Sequence, residues 1–157
     1  MRGKQAPRRK ITADGKYNRI DVAKFTNYIM LQGKKTVAQK IVYQAFDIIK
    51  EKTKKDGVEI FEQAIKKVGP NLEIRGRRIG GANYQIPFPV KDDRKFTLAS
   101  RWIITAAKNI KGRSMSEKLA QILIDSANGE GAAIKKREDV HRMAEANRAF
   151  AHFAKFG

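Results

Sequence analysis

Arg75, Arg77 and Arg78 crowd one short stretch of the chain, with Ile79 and Tyr84 close by. Guanidinium groups fork phosphate oxygens, and an exposed ring stacks on a base, so this combination points to nucleic acid. An arm that docks on another protein, or a Tyr84 packed at the arm's base, is the competing reading. A second basic cluster, Gly33-Lys34-Lys35-Thr36, resembles the end of a phosphate-binding P-loop. That loop needs an earlier glycine where this chain has Tyr28, and it needs a preceding strand where a helical pattern stands. The better reading is a basic turn between helices, with Lys34 and Lys35 beside a helix N-terminus and well placed for a phosphate. A plain solvated turn competes with it. His141 lies near Glu138, Asp139 and Glu145, which could serve a metal or acid–base chemistry. A lone histidine on a charged helix reads better as surface, and His152 has still less around it. No catalytic residue, metal or cofactor is expected.

The charge balance supports the nucleic-acid reading. The 157 residues carry 34 Lys and Arg against 16 Asp and Glu, a formal charge of +18. The isoelectric point is about 10.3. Such a surplus repels itself unless a polyanion neutralises it, so nucleic acid or an anionic membrane is the expected partner. No apolar stretch is long enough for a bilayer span, and the basic N-terminus precedes no apolar run of a secretory signal. A membrane is therefore not expected, and a cytoplasmic location is. Cysteine is absent, which excludes disulfides and thiol catalysis. Further basic groups are Arg94, Lys95 and Arg101, then Lys108, Lys111, Arg113 and Lys118, then Lys135, Lys136, Arg137 and Arg142. Spread over many elements, they favour wide backbone contact with folded RNA over one helix reading a DNA groove.

The elements that must position these groups can be read from period and punctuation. Residues 1–19 form a basic extension with little to bury. Val22, Phe25, Tyr28 and Ile29 make a short helical stripe ending before Gly33. Thr36 with Gln39 reads as a capping box, followed by Val37, Ile41, Ala45, Ile48 and Ile49. Asp56 starts the next helix, with Phe61, Ala64, Ile65 and Val68 inward, and Gly69-Pro70 stops it. The period then changes to two across about 72–90, with Gly80-Gly81 at the centre. A two-residue turn would pair Arg75 with Ile86. A three-residue loop, Gly80 to Ala82, would pair Ile74 with Phe88 and is the preferred register, because it keeps apolar groups on one face. Helical period resumes with Asp92 or Asp93 as N-cap, and Leu98, Trp102, Ile103, Ala106 and Ile110 share a face, with Trp102 in the core. Ser114 with Glu117 caps another helix, which buries Leu119, Ile122, Leu123 and Ala127 and ends at Gly129. A last helix runs from about Ala132. The expected fold is mainly α, a bundle of about six helices with one protruding two-stranded antiparallel β-hairpin. The expected domains are the extension, 1–19, and one RNA-binding domain, 20–157.

Three stretches carry a family resemblance: NYIMLQGKK from Asn27 to Lys35, PNLEIRGRRIGGANYQIP from Pro70 to Pro87, and MAEANRAFAHF from Met143 to Phe153. Together they resemble the bacterial form of ribosomal protein S-seven of the small subunit. The resemblance implies a structural constituent that binds the 3′ major domain of small-subunit ribosomal RNA as a primary binder and organises the head. It implies neighbours among head and platform proteins, and a hairpin facing exit-site transfer RNA and the messenger exit channel. By motif match, Lys34, Lys35, Arg75, Arg94 and Arg101 are implied ribosomal-RNA contacts, and Arg77 and Arg78, with Tyr84, the hairpin tip on the transfer- and messenger-RNA side. Arg2, Lys4, Arg8, Arg9, Lys10, Lys108, Lys111 and Arg113 are added to the ribosomal-RNA set on charge and position. A basic DNA-binding or nucleoid-type protein is the alternative. It would call for a dimer or a single recognition helix, and neither pattern is present.

Overall fold

The computed structural model of the chain describes residue 3, residues 6–7 and residues 10–155, and its side-chain description ends at His152. The order is α1 (Ile20–Ile29), α2 (Lys35–Thr53), α3 (Gly57–Val68), β1 (Leu72–Ile79), β2 (Ala82–Pro89), α4 (Asp92–Asn109), α5 (Met115–Asn128) and α6 (Ala132–Ala146), then a 3-10 segment (Arg148–Lys155). Among the described residues this is a mainly α chain with one antiparallel hairpin, as expected. It divides into two compact units, residues 1–40 and 41–157, with the boundary inside α2.

In the first unit, Asp14 closes a turn ahead of α1. Its carboxylate accepts the backbone N–H groups of Lys16 and Tyr17 at 3.1 and 3.2 Å, and its N–H donates to the Arg19 carbonyl at 3.0 Å. Asp14 is buried by this closure. The end of the basic extension is thus an ordered turn. In α1, Val22, Phe25 and Ile29 face inward, as the stripe predicts, while Tyr28 is 37% exposed. Gln32 and Gly33, between α1 and α2, then take φ of +53° and +74°. The start of α2 differs from expectation. The helix begins at Lys35, so Thr36 lies inside its first turn rather than at the cap. The positive-φ pair lies just ahead of that start. Of the expected stripe, Ala45 and Ile49 are buried, Ile41 and Ile48 are half-buried and Val37 is exposed, while Ala38, Val42 and Phe46 complete the buried face.

In the second unit, α3 packs against α4 and α5, and α5 against α4, to enclose the core. The Asp56 side chain accepts the Val58 N–H at 3.3 Å and caps α3. Gly57 is required where α3 leaves α2: a Cβ there would sit 2.7 Å from the Phe46 Cβ. Ser114 caps α5 as predicted, accepting the Glu117 N–H at 3.3 Å. The expected Leu119, Ile122, Leu123 and Ala127 are all buried, and Gly129 closes the helix in the left-handed region at φ +96°. In α4 the N-cap is Lys91. Asp92 and Asp93 sit in the first turn instead, where carboxylates meet the positive end of the helix dipole. Its buried face is Ala99, Ser100, Ile103, Ile104, Ala106 and Ala107. Trp102 is half-buried at the edge of that face rather than inside the core.

The hairpin register also differs from the preferred one. Arg75 pairs with Ile86, Arg77 with Tyr84, and Ile79 with Ala82 across a two-residue turn. Gly80 and Gly81 have φ of +56° and +89°, the pair of positive values that a tight type I′ turn demands. That turn chemistry outweighs the apolar matching. Arginine stems are themselves apolar enough to share a face with Phe88 and Ile86. The hairpin is seated along part of its length: α6 lies against β1, and the 3-10 segment lies against β2.

Candidate nucleic-acid interface

The base of the hairpin gathers arginines around one buried carboxylate. Glu73 is buried on β1. Arg75 donates to its Oε1 through Nε at 2.7 Å and again through Nη2, and Arg94, from the first turn of α4, donates to Oε2 through Nε at 3.0 Å. Burial by itself would raise the Glu73 carboxyl. The hydrogen bonds and charges of Arg75 and Arg94 outweigh it and hold the group below its ordinary value. Glu73 is therefore an anion that fixes two cations. The Arg94 side chain is 46% exposed beyond this bond. Phe88, opposite Glu73 in the register, carries Arg75 and Arg77 over its ring at 5.2 and 5.4 Å from the centroid. Aromatic faces favour such cations electrostatically.

The other predicted residues fall as follows. Arg78 is exposed near the tip, and Arg77 is half-buried over Phe88. Tyr84 does not stand out as a free ring, because it packs edge-on against Phe150 at 5.2 Å between centroids. It is packed, as the alternative has it, but in the tip half of the arm, opposite Arg77, and not at the base. Lys34 and Lys35 are exposed at the start of α2, and Lys10 is exposed ahead of the Asp14 turn. Arg101 is exposed on α4, Lys108 at its C-terminal turn, and Lys111 and Arg113 on either side of Gly112 in the α4–α5 turn. Arg2, Lys4, Arg8 and Arg9 lie outside the described residues. The structure thus brings Arg75, Arg77 and Arg94 together around Glu73 and Phe88.

Several basic residues are committed to the fold instead. Lys67 donates to the Ala127 carbonyl at 2.6 Å, Arg137 to the Lys67 carbonyl at 2.6 Å, and Lys95 to Asn71 Oδ1 at 2.8 Å. His141 is likewise structural: its Nε2 accepts the Asn71 N–H at 3.1 Å and ties α6 to the foot of β1. Burial, then the charges of Arg137 and Lys95, push the His141 imidazole below its ordinary value and keep that nitrogen free to accept. Sequence reading missed Glu73 and the role of His141. An isolated acid inside the arginine-rich strand was the available signal for the first, and none was available for the second.

Among the described residues no cluster of His, Asp and Glu could hold a metal ion, and no helix is long and apolar enough to cross a membrane. A family model described as ribosomal protein S7p/S5e matches residues 1–148. Small ribosomal subunit protein uS7 of Thermotoga neapolitana is 58% identical over 153 residues, covering 98% of this chain and 99% of that protein. The protein of the same name from Moorella thermoacetica is 56% identical over 149 residues, covering 95% of this chain and 96% of its own length. Neither relative is named as a DNA-binding or nucleoid protein. Identity at this level over nearly the whole length, together with the hairpin and its arginines, leads to one conclusion: the chain belongs to the ribosomal protein S7p/S5e family.

Proposed function

We propose that this chain, a structural constituent of the small ribosomal subunit and not an enzyme, is a primary binder of the subunit's ribosomal RNA. Its target is the 3′ major domain, which it organises into the head alongside neighbouring head and platform proteins in the cytoplasm. The observation that carries this reading is the dispersion of exposed cations. Lys34 and Lys35 at the start of α2, Arg78 on the hairpin, Arg101 and Lys108 on α4, and Lys111 and Arg113 in the turn after it all stand exposed, as wide contact with a folded polyanion requires. Arg75 and Arg94 add a pre-oriented pair at the hairpin base. The basic extension 1–19 and the helical body supply most of the ribosomal-RNA affinity. The hairpin tip, with Arg77 and Arg78, serves the side of exit-site transfer RNA and the messenger exit path. Tyr84 supports the tip through Phe150.

Co-sedimentation with small subunits and a nucleotide-resolution footprint on ribosomal RNA test the reading. Protection confined to the 3′ major domain is expected, and protection scattered over the whole RNA would refute it. Deleting residues 77–83 should cost less ribosomal-RNA affinity than removing the first ten residues together with Lys34→Gln and Lys35→Gln. The reverse order would overturn the division between body and tip.

A further inference from the structure

The end of α5 carries a chemistry that RNA contact does not use. Asn128 is the last residue of the helix and is exposed, and Gly129 follows it. It is the only asparagine in the sequence with glycine next. Asparagine is labile because the backbone nitrogen of the next residue can attack its side-chain amide. A Cβ on that next residue crowds the attack, and glycine has none. The fold holds this nitrogen back. The Gly129 N–H donates to the Asp125 and Ser126 carbonyls, the second at 3.1 Å, and the Glu130 N–H donates to the Asp125 carbonyl at 2.8 Å. These bonds close the helix end with Gly129 at φ +96°. From α3, Lys67 donates to the Ala127 carbonyl at 2.6 Å, one residue before Asn128, and ties the turn to a second helix.

We infer that Asn128 is a site of spontaneous deamidation, gated by fraying of the last turn of α5 and restrained by Lys67. When the turn opens, the lone pair of the Gly129 nitrogen forms a bond to the Asn128 Cγ. The bond from Cγ to the side-chain nitrogen breaks, and that nitrogen leaves as ammonia with the proton from Gly129. The five-membered imide that remains takes up one water. Opening at Cγ gives aspartate, and opening at the main-chain carbonyl gives isoaspartate. The balance is amide plus water to carboxyl plus ammonia, with nothing oxidised or reduced. The product places a negative charge at the negative end of the helix dipole. Lys67 Nζ is close by, 3.9 Å from where a Cβ on Gly129 would stand, and exchanges the Ala127 carbonyl for the new carboxylate. Isoaspartate also lengthens the main chain by one methylene, which throws the Gly129 and Glu130 N–H groups out of register. The link between α3 and α5 therefore changes as the free protein ages.

The test follows the full chain, free of RNA and at neutral to mildly alkaline pH, by fragment masses of its tryptic 119–135 peptide. Carboxyl should replace amide at Asn128 before any other asparagine of the chain, and fastest in urea, where no turn holds the nitrogen. Lys67→Gln should speed the folded-state reaction about three- to tenfold, the factor that loss of one hydrogen bond gives. Arg137→Gln controls for general loosening, because Arg137 bonds the Lys67 carbonyl and leaves the Ala127 carbonyl with its lysine. It should change the rate by less than about twofold. Earlier conversion at another asparagine, or a folded chain that reacts as fast as the unfolded one, overturns the inference. So does a Lys67→Gln rate equal to that of wild type or of Arg137→Gln.

Discussion

Replacing Glu73 with glutamine isolates what the buried carboxylate contributes. The change keeps size and one carbonyl acceptor but removes the charge that Arg75 and Arg94 share. Removing one partner of a fully buried ion pair costs about 3–5 kcal/mol. Here the Arg75 and Arg94 side chains are 57% and 46% exposed, so water takes over much of their charge once the anion is gone. The expected cost is therefore about 1–2 kcal/mol. For a chain of 157 residues, with an unfolding entropy near 2.1 cal/mol/K per residue, that lowers Tm by about 3–6 °C. The effect should depend on pH. The folded-state carboxyl titrates below its ordinary value of 4.5, so its contribution is fully present above 4.5 and is lost as pH falls through the folded value. Wild type and Glu73→Gln should then converge in acid. Urea unfolding of Glu73→Gln, Arg94→Gln and the double variant measures the coupling directly. A coupling energy below about 0.3 kcal/mol, or a difference that persists unchanged into acid, would refute the reasoning.

His141 accepts a hydrogen bond in its neutral form, and its folded value lies below 6.5, so stability should fall as pH drops below 6.5 toward that folded value. In His141→Gln that part of the slope should vanish from urea midpoints taken between neutral and mildly acidic pH. Gly57→Ala places a Cβ 2.7 Å from the Phe46 Cβ and should cost about 1–3 kcal/mol in the same assay. Affinity for ribosomal RNA should fall steeply with salt. If about six to ten side chains meet phosphates, the slope of log affinity against log salt is about −4 to −9. A slope near −1, by filter binding or anisotropy, would exclude wide electrostatic contact.

Local signals read well wherever the competing forces were also local. Asp56 and Ser114 cap α3 and α5 because their side chains reach N–H groups two and three residues away. The same kind of signal failed at Thr36. There the helix begins at Lys35, just after positive φ at Gln32 and Gly33, a backbone feature that an N-cap pattern does not weigh. The hairpin itself was plain from period two, and its register was not. Two adjacent glycines determine the turn, and arginine stems over Phe88 remove the penalty that apolar matching assumed. In the candidate interface the arginines were legible as types and as a motif, but their organiser was not. Arg94 reaches Glu73 across 21 residues, and His141 reaches Asn71 across 70. Such partners come from tertiary placement, and no spacing within one element announces them.

The lysine and arginine that close helix ends bear on any attempt to reduce this chain's charge. Arg137 of α6 reaches the last turn of α3, and Lys67 of α3 reaches the last turn of α5. Each places a cation where the helix dipole is negative, so α6 is linked to the carboxyl end of α3, and α3 to the carboxyl end of α5. The net charge of +18 is thus divided between cations turned outward and cations built into the architecture. A variant made less basic for work in the absence of RNA should draw its substitutions from the turn residues Lys34, Lys35, Lys111 and Arg113. The same loss of charge taken from Lys67 and Arg137 would loosen the helix ends along with the polyanion affinity.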